Sequence, residues 1–215
     1  MARLTQLAGE RIGMAESVAP ARVVLLAGPS GSGKSYVARR TGFPVLALDD
    51  FYRDGDDPAL PRQPNGLVDW DNPASWNADE AVATIVRLCT ERRADVPVYE
   101  IGADRRTGTH VLDLGDAPIF IAEGIFAAEI VAVCREAGVL ADAVALHRTR
   151  QITYLRRLAR DLREGRKAPG ILVRRGWVLM RAEPEVLARE AALGCRPYNA
   201  HATIRAVKQL AAETP

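Results

Sequence analysis

Short apolar runs alternate with longer segments of helical periodicity along most of the chain. The apolar runs predict short strands at residues 23–27, 44–48, 119–122, 143–147 and 198–204. Helical periodicity occurs at residues 75–93, 127–137, 149–164 and 171–193, and Ala81, Ile85, Leu88 and Cys89 share one face of the first of these helices. Because strands alternate with helices, we expect an α/β fold with a mainly parallel five-stranded sheet and helices on both faces.

Turn-forming residues separate these elements. Residues 96–101 and 109–114 flank a turn-like sequence at 105–108 and predict a hairpin, whereas residues 54–73, rich in Asp, Pro and Gly, predict an irregular loop. We expect breaks in the helical pattern at residues 165–170 and at Pro184. The charged N-terminal residues 1–20 predict a short leading helix or arm.

Composition narrows the class of protein. The chain has 215 residues, of which 48% are hydrophobic and 26% charged, so it can bury a core and is not a disordered or fibrous protein. A net charge of +2 argues against a general nucleic-acid binder. The three cysteines are far apart, which favours a reducing cytosol over a disulfide framework or a zinc site. The apolar runs are too short to span a membrane or to form a signal peptide.

The most specific motif follows the first predicted strand. Residues 28–35 read Gly-Pro-Ser-Gly-Ser-Gly-Lys-Ser and match the phosphate-binding pattern G-x-x-x-x-G-K-[ST]. Glycines let backbone N–H groups approach phosphate oxygens, and the helix that follows adds the positive end of its dipole. In this pattern Lys34 reaches the β- and γ-phosphates and the Ser35 hydroxyl binds Mg²⁺. The motif therefore predicts a site for ATP and Mg²⁺.

Acidic residues follow two other predicted strands. Asp49 and Asp50 end the second apolar run, and Glu123 ends the third. Ligands of open parallel sheets bind beyond the carboxyl ends of the strands, so these acids converge on the phosphate loop if the strands are neighbours. There they can hold Mg²⁺ or take a proton from an attacking hydroxyl. The alternative is that Asp49 or Asp50 only caps a turn and that Glu123 only ends a strand.

Charge is segregated along the chain. Residues 148–181 contain eleven basic and two acidic residues, which gives this segment a local charge of +9. Arg156, Arg160 and Arg163 share one helical face. The residues Leu155, Leu158 and Leu162 share another face, which can pack against the protein. Arginine binds phosphate oxygens well, so this segment predicts a lid hinged at Gly165 and Gly170, with a solvated basic face as the alternative.

The opposite charge is found in residues 49–80. Nine acidic and two basic residues give this segment a balance of −7, and it also contains Phe51, Tyr52, Trp70 and Trp76. Carboxylates accept hydrogen bonds from hydroxyls and rings stack, so the segment suits a polyhydroxylated, ring-bearing acceptor. An acidic surface loop with a few core aromatics is the alternative. Repulsion between like charges argues against an acceptor that already carries a phosphate.

Residues 22–170 resemble the uridine kinase-like branch of P-loop kinases, which includes phosphoribulokinase, bacterial-type pantothenate kinase and nicotinamide riboside kinase. The resemblance rests on the phosphate loop and on segments in the family's order. These are Asp49-Asp50-Phe51-Tyr52 for D-x-F-Y, Trp70-Asp71-Asn72-Pro73 for F-D-H-P, Pro97-Val98-Tyr99-Glu100 for P-x-Y-D followed by Arg106, Glu123-Gly124 for E-G, and Arg156-Arg157-Leu158-Ala159-Arg160-Asp161 for R-R-x-x-R-D followed by Arg166.

The resemblance implies a three-layer P-loop kinase fold in one domain, residues 1–215, with an inserted hairpin, an acceptor-binding segment at about 50–115 and a helical lid at about 156–172. It implies that Asp49 is the catalytic base and that Asp71 binds ribose hydroxyls. The implied nucleotide-binding residues are Gly28, Ser30, Gly31, Ser32, Gly33, Lys34, Ser35, Tyr36, Arg156 and Arg166. The implied catalytic residues are Asp49, Lys34 and Arg160; the acceptor site comprises Asp49, Tyr52, Asp71, Tyr99, Asp104, Arg106 and Glu123; and the Mg²⁺ ligands are Ser35, Asp49 and Glu123.

The sequence departs from the uridine kinase pattern at two places. Asp104 stands where uridine kinases carry a His that reads the pyrimidine, and Glu164-Gly165-Arg166 is one residue shorter than the family's E-R-G-R. The first departure argues against uridine or cytidine as the acceptor, and neither affects phosphoryl transfer.

Together these features predict an ATP-dependent phosphotransferase that acts on the hydroxyl of a small polar molecule. We expect a nucleoside-like acceptor, with a sugar, pantothenate or another vitamin precursor as the alternative within kinases, and we expect neither nucleic acid nor membrane as a partner. The sequence is compatible with a homo-oligomer. A nucleotide-binding regulator without transfer activity is the alternative from another class. A GTPase is disfavoured because the chain contains no N-K-x-D element, and an ABC-type motor because it contains no LSGGQ.

Overall fold

A computed structural model describes residues 20–163 and 169–214. The strands are β1 Arg22–Ala27, β2 Val45–Ala47, β3 Arg93–Glu100, β4 Arg105–Asp113, β5 Ile119–Glu123, β6 Leu140–Leu146 and β7 Arg196–Tyr198. The α-helices are α1 Lys34–Thr41, α2 Ala78–Glu91, α3 Val131–Glu136, α4 Arg150–Arg163, α5 Pro169–Ala192 and α6 Ala200–Glu213, with short 3₁₀ turns at Leu48–Phe51, Pro73–Ser75 and Ala127–Ile130. Within these described ranges, no helix combines the length and the apolar character that crossing a membrane requires.

The main sheet has five parallel strands in the order β2-β5-β1-β6-β7. The predicted α/β fold with a parallel sheet is therefore confirmed. Strands β2, β5 and β1 are direct neighbours, so the phosphate loop after β1 and the acids after β2 and β5 meet at one edge, as the sequence predicted.

Both faces of this sheet are buried. Val23 and Leu25 of β1 pack into one core with α2 and α3, and Val24 and Leu26 pack into a second core with α1 and α6. Alternating side chains of one strand thus enter both cores, which is the pattern of a parallel sheet covered by helices on each side. The result is the predicted three-layer arrangement.

The predicted hairpin is present, but its turn lies earlier than expected. Strands β3 and β4 pair antiparallel around residues 101–104, whereas the sequence placed the turn at 105–108. The turn closes where Ala103 N donates to the Glu100 carbonyl oxygen at 3.0 Å and Asp104 adopts a left-handed φ of 50°. Residues 105–108 are consequently extended and belong to β4.

The C-terminal region differs from its prediction at three points. Only Arg196–Tyr198 is a strand, because the Asn199 side chain accepts a hydrogen bond from Ala202 N and starts helix α6, so the predicted strand at 198–204 is wrong. Pro184 does not break the helix, since α5 continues through it while packing along α4 and against β6 and β7. Gly170 lies within α5 instead of in a break.

The apolar face of α4 is less covered than its periodicity suggested. Leu155 is 60% exposed and Leu162 is 47% exposed. The predicted leading segment at residues 1–20 lies outside the described residues except for Pro20, and so does the hinge residue Gly165.

Candidate active site

The phosphate loop connects β1 to α1 and is built on strained glycine positions. Gly28, Gly31 and Gly33 have φ angles of 138°, 88° and 98°, which side chains of L-residues rarely adopt. Space is also restricted, because a Cβ on Gly28 would lie 2.7 Å from the Leu146 carbonyl oxygen and one on Gly31 would lie 2.9 Å from that of Thr153. The loop therefore needs glycine both for its backbone conformation and for its close contacts with neighbouring elements.

Two polar side chains of this loop region are buried. The Lys34 ammonium is held by the loop itself, since Nζ donates to the carbonyl oxygen of Gly28 at 2.9 Å and to that of Pro29 at 3.5 Å. Ser32 is 1% exposed, and its Oγ has no hydrogen-bond partner among the described residues. A buried hydroxyl without a partner at a phosphate loop is suited to a ligand that brings its own acceptor oxygens.

A hydroxyl and two carboxylates meet beside the loop. Ser35 Oγ donates to Glu123 Oε1 at 2.5 Å, which joins the first turn of α1 to the end of β5. Glu123 is buried, and burial raises the pKa of its carboxyl, while the Lys34 ammonium and the Ser35 hydrogen bond oppose this and the Asp49 carboxylate adds to it. The negative charges of Asp49 and Glu123 thus act on each other at this point.

The position of Asp49 is fixed by the elements around it. Asp49 lies in the 3₁₀ turn after β2, and Trp76 Nε1 donates at 2.7 Å to the carbonyl oxygen of the preceding residue, Leu48. A Cβ on Gly124 would lie 2.8 Å from Leu48 Cβ and 3.2 Å from Asp49 Oδ1, so the absence of a side chain at 124 lets the carboxylate approach β5. On the other side, Asp50 Oδ1 accepts a hydrogen bond from Tyr99 N at 3.1 Å, which fastens the turn to the hairpin.

The residues at this edge fit a magnesium–nucleotide complex. Mg²⁺ prefers oxygen ligands and usually takes one or two carboxylates together with phosphate oxygens, and Ser35, Asp49 and Glu123 offer such oxygens. In the described part of the chain no three or more His, Cys, Asp or Glu side chains form a group that could hold a metal ion. The oxygens of Ser35, Asp49 and Glu123 would therefore hold Mg²⁺ together with the phosphate oxygens of a nucleotide and would not surround the ion with protein ligands alone.

Helix α4 covers the phosphate loop. Arg157 donates to the Ser30 carbonyl oxygen from Nε at 2.9 Å and also from Nη2, and its side chain is 8% exposed. Arg156 Nη1 would lie 3.2 Å from a Cβ on Gly33, so this second guanidinium borders the loop. The predicted phosphate contacts of the Arg160 side chain and of Arg166 lie outside the described residues.

An aromatic cluster lies next to the turn that carries Asp49. The Tyr52 ring is 5.6 Å from the Trp70 ring, 5.8 Å from that of Tyr99 and 6.0 Å from that of Phe126, and Tyr52 Oη donates to the Trp70 carbonyl oxygen. The Tyr99 hydroxyl donates to the Arg53 carbonyl oxygen at 3.1 Å, and burial, with the Asp104 and Asp54 carboxylates, raises its pKa to about 12. Tyr99 is thus neutral, and it forms one wall with Tyr52.

A charged cavity of about 290 Å³ lies at the turn end of the hairpin, and it is lined by Arg53, Asp54, Asp56, Asp57, Asn77 and Arg106. Arg106 pairs with Glu80 through Nη1–Oε1 at 2.8 Å and Nη2–Oε2 at 2.5 Å, and its backbone N–H donates to Asp54 Oδ1 at 2.8 Å. This pairing raises the pKa of Arg106. The Asp104 carbonyl oxygen accepts from Gly55 N at 2.6 Å, so the hairpin turn is fastened to this wall.

Comparison with known proteins identifies relatives of this chain by sequence. The chain is 31% identical over 159 residues to a uridine kinase of Schizosaccharomyces pombe, covering 70% of this chain and 34% of that protein. It is 26% identical over 149 residues to a uridine kinase of Bacillus thuringiensis, covering 66% of this chain and 68% of that protein. The chain is a homologue of the uridine kinases. The predicted resemblance is thereby confirmed, although the chain spans only about a third of the yeast relative.

The fold comparison agrees with this relationship. A candidate fructose transport system kinase from Silicibacter sp. TM1040 has a TM-score of 0.56 at 19% identity, covering 83% of this chain and 87% of that one. At this identity the likeness shows a shared fold, which is the fold predicted for a uridine kinase homologue. No family model matches the sequence.

The structure places the predicted residues of this uridine kinase homologue in distinct groups. Ser35, Asp49 and Glu123 come together, and Tyr52 lies beside Tyr99, which pairs with Arg106 across the hairpin next to the turn that contains Asp104. Two further predicted residues are on the surface: Tyr36 is 52% exposed and lies 6.0 Å from the Arg40 guanidinium, and Asp71 is exposed in the turn before Pro73–Ser75.

Sequence reasoning missed Arg157, which contacts the phosphate loop, and two buried acidic residues of helix α5. The sequence analysis singled out the helix face with Arg156 and not Arg157. Arg157 is four residues from Thr153, whose carbonyl oxygen lies against Gly31. This spacing places Arg157 and Thr153 together on the side of α4 that covers the loop. Glu183 and Glu190 of α5 are 2% and 4% exposed, and each has an oxygen without a hydrogen-bond partner among the described residues. Their spacing of seven residues in one helix was the available signal.

Proposed function

We propose that this protein is an ATP-dependent kinase that transfers the γ-phosphoryl group to a hydroxyl of a small polar acceptor, with a nucleoside-like acceptor favoured. One observation carries the proposal. Lys34, the Ser35–Glu123 pair and the Asp49 carboxylate lie together at the carboxyl ends of the neighbouring strands β1, β5 and β2. Phosphoryl transfer depends mainly on positioning and on charge stabilisation, which this arrangement supplies.

The phosphate loop binds and orients the nucleotide. When bound, Mg²⁺ neutralises phosphate charge and draws its protein ligands from Ser35, Asp49 and Glu123. The backbone N–H groups of the loop and of the first turn of α1 face the phosphates. Lys34 exchanges its carbonyl acceptors for phosphate oxygens, which are stronger acceptors because they are charged.

Asp49 acts as the general base on the acceptor hydroxyl. Its carboxylate is held by the turn after β2 and by the contact with Gly124, so it does not need to reorganise to accept the proton. Glu123 contributes to the magnesium site and to the end of the acceptor site that faces the phosphates. Arg156, Arg160 and Arg166 of the lid, residues 156–172, stabilise charge on the transferred group.

The acceptor binds to the segment at residues 50–115 within a single domain, residues 1–215. Tyr52 and Tyr99 form an apolar wall, and Asp71, Asp104 and Arg106 supply polar contacts to hydroxyls and to the ring. The relatives are named uridine kinases, which favours a nucleoside-like molecule. Asp104, in place of the pyrimidine-reading His, favours a ring other than uracil or cytosine. A sugar, pantothenate or another vitamin precursor is the alternative acceptor.

The experiment is an ADP-release assay with ATP and Mg²⁺ over a panel of nucleosides, sugars and vitamin precursors. We expect acceptor-dependent ADP release that Asp49→Asn lowers by about 10³-fold or more while ADP still binds. Asp95→Asn, at an exposed position of β3, is the matched control and should keep full activity. ATP binding without ADP release for any acceptor would instead indicate the regulator, and full activity of Asp49→Asn would remove Asp49 from the base role.

A further inference from the structure

An ion pair between helix α2 and strand β4 lies at the charged cavity near the turn of the hairpin. Glu80, in the first turn of α2, pairs with Arg106, which lines that cavity. Both ends of the guanidinium take part, since Nη1 donates to Oε1 at 2.8 Å and Nη2 donates to Oε2 at 2.5 Å. A contact with two parallel hydrogen bonds fixes the guanidinium plane and compensates its positive charge.

The carboxylate of Glu80 is held in place by the start of its own helix. Asn77 caps α2, because its Oδ1 accepts from Glu80 N at 3.4 Å and its Nδ2 donates to Glu80 Oε2 at 2.9 Å. The Asn77 N–H in turn donates to the Phe51 carbonyl oxygen at 2.9 Å, which fastens the cap to the segment that follows Asp49. The first turn of a helix also favours a negative charge. Glu80 is therefore a fixed negative charge beside Arg106.

Other contacts hold the hairpin turn against this part of the protein. The Arg106 backbone N–H donates to Asp54 Oδ1 at 2.8 Å, and Gly55 N donates to the Asp104 carbonyl oxygen at 2.6 Å. Neither contact uses the Glu80 carboxylate, so both would remain if its charge were removed. What Glu80 alone decides is the charge that the Arg106 side chain presents to the cavity.

The cavity, of about 290 Å³, has more carboxylates than guanidinium groups. Both of its arginines are paired, Arg53 with Asp57 at 3.1 Å and Arg106 with Glu80. The lining contains two arginines and three aspartates, so that with Glu80 four carboxylates accompany two guanidinium groups. A negatively charged group that entered this cavity would be repelled. A hydroxyl or carbonyl oxygen would not, and it could accept from the N–H groups of Arg106 that the ion pair leaves over, since a guanidinium has five.

This cavity adjoins the aromatic wall that we assign to the acceptor. Tyr99 and Arg106 are paired in the register of the hairpin, so their side chains lie on the same face of it. The Tyr99 hydroxyl donates at 3.1 Å to the carbonyl oxygen of Arg53, which also lines the cavity. An acceptor that extends along the wall past Tyr99 therefore meets the Glu80–Arg106 pair.

We propose that Glu80 is a specificity-determining residue, which neutralises Arg106 and thereby excludes acceptors that carry a carboxylate or a phosphate at this end. Arg106 then serves as a donor to the hydroxyl or carbonyl oxygens of a neutral acceptor. An arginine without its carboxylate partner would instead bind anions. The discrimination thus comes from a repulsive element in the site as well as from contacts to the correct acceptor. This inference rests on the proposed function, because it concerns the acceptor of that reaction.

The test compares acceptors that differ chiefly by one carboxylate: uridine with orotidine, glucitol with gluconate, and panthenol with pantothenate. ADP release gives kcat/KM for both members of each pair that is turned over. We expect the wild type to prefer the neutral member by about tenfold or more, and Glu80→Gln to lower this preference by about tenfold through KM of the anionic member. Arg106→Gln should raise the preference, because it leaves the Glu80 charge uncompensated, and the double variant should return it toward the wild-type value.

Asp79→Asn is the matched control, because it removes a negative charge from an exposed position in the same helical turn. We expect it to keep the wild-type preference. If Glu80 has only a structural role, Glu80→Gln will lower kcat/KM equally for both members of a pair, and this unchanged preference overturns the inference. A wild type that prefers the anionic members overturns it too. If Glu80→Gln does not fold, Arg106→Gln decides, since a preference equal to that of the wild type is then the contradicting result.

A second measurement needs no turnover. ADP and Mg²⁺ fill the phosphate loop, and sodium sulfate is then titrated at constant ionic strength while Tm is measured. We expect sulfate to raise Tm of Glu80→Gln more than Tm of the wild type or of the double variant with Arg106→Gln, because only the first variant has an arginine without its carboxylate partner. Equal responses to sulfate overturn the inference. No ADP release with any acceptor overturns the proposed function, whereas ADP release with an unchanged preference overturns this inference alone.

Discussion

Ser35 Oγ donates a 2.5 Å hydrogen bond to Glu123 Oε1, which ties the first turn of α1 to the carboxyl end of β5. The two residues are 88 positions apart in the chain, yet β5 and β1 are adjacent strands. The contact therefore makes the phosphate loop and the acidic strand end a single unit.

Glu123→Gln tests the charge at this contact separately from its shape. Glutamine has nearly the same size and can still accept the hydrogen bond from Ser35, so the fold and the loop should be preserved. We expect about 10²-fold lower kcat/KM and a need for higher Mg²⁺ concentrations, measured as ADP release over a magnesium titration. Glu100→Gln, at an exposed position of β3, is the control and should not differ from the wild type. An unchanged magnesium requirement would exclude Glu123 from the metal site.

Gly124→Ala tests how closely Asp49 must approach β5. The added Cβ would lie 2.8 Å from Leu48 Cβ and 3.2 Å from Asp49 Oδ1, so the turn that carries Asp49 must shift. Small misplacements of a catalytic group cost about 10²-fold in rate, and we expect a loss of roughly that size in kcat, with ADP affinity near that of the wild type.

Gly102→Ala is the control for this substitution, because a Cβ there meets no atom within 4 Å. Single-turnover kinetics and ADP titrations distinguish the outcomes. If Gly124→Ala weakens ADP binding as strongly as it lowers kcat, the disturbance has spread to the phosphate loop and the positioning of Asp49 is not the cause.

The sequence predicted that the phosphate loop and two acidic strand ends lie at one edge of the sheet, because that part of the fold depends on local rules. The loop at 28–35 has a fixed spacing that follows from phosphate geometry, and Asp49 and Glu123 follow apolar runs that end at one sheet edge. The strand predictions for β1 and β5 were correct for the same reason, since buried parallel strands are apolar on both faces.

The contacts that sequence reasoning missed are formed between distant elements. Arg157 was not predicted because its contact depends on how α4 packs over the loop, which periodicity alone does not give. The hairpin turn was predicted too late in the chain because Asp104, although it is not a glycine, adopts a left-handed conformation. The last predicted strand was wrong because Asn199 begins a helix, a local signal that the apolar content of the next residues concealed.

Arg157→Ala tests whether α4 organises the phosphate loop. Two N–H groups of Arg157 converge on the Ser30 carbonyl oxygen, and their removal takes both of these hydrogen bonds from the loop. We expect ADP to bind about tenfold more weakly, with a smaller effect on kcat at saturation. Arg157→Lys should restore little of the affinity, because a lysine cannot reproduce the planar pair of donors.

Arg163→Ala is the matched control for Arg157→Ala. It removes a positive charge from the same helix at an exposed position, so a general loss of positive charge would affect both variants alike. Equal ADP affinities of the two variants would contradict a specific role of the Ser30 contact.

Glu190 makes folding stability depend on pH. Burial raises the pKa of its carboxyl from an ordinary value of 4.5 to about 7, so the folded protein binds this proton more tightly than the unfolded chain. The stability that follows from this difference is fully present below about pH 4.5 and is lost as the pH rises to about 7.

Glu190→Gln removes the titrating group, so its free energy of unfolding relative to the wild type should increase by roughly 2–3 kcal/mol between pH 5 and pH 8. Urea denaturation at both pH values measures this difference, and Glu185→Gln, at an exposed position of the same helix, should show a difference that does not change with pH. A difference between Glu190→Gln and the wild type that is equal at both pH values would mean that Glu190 keeps the same charge throughout.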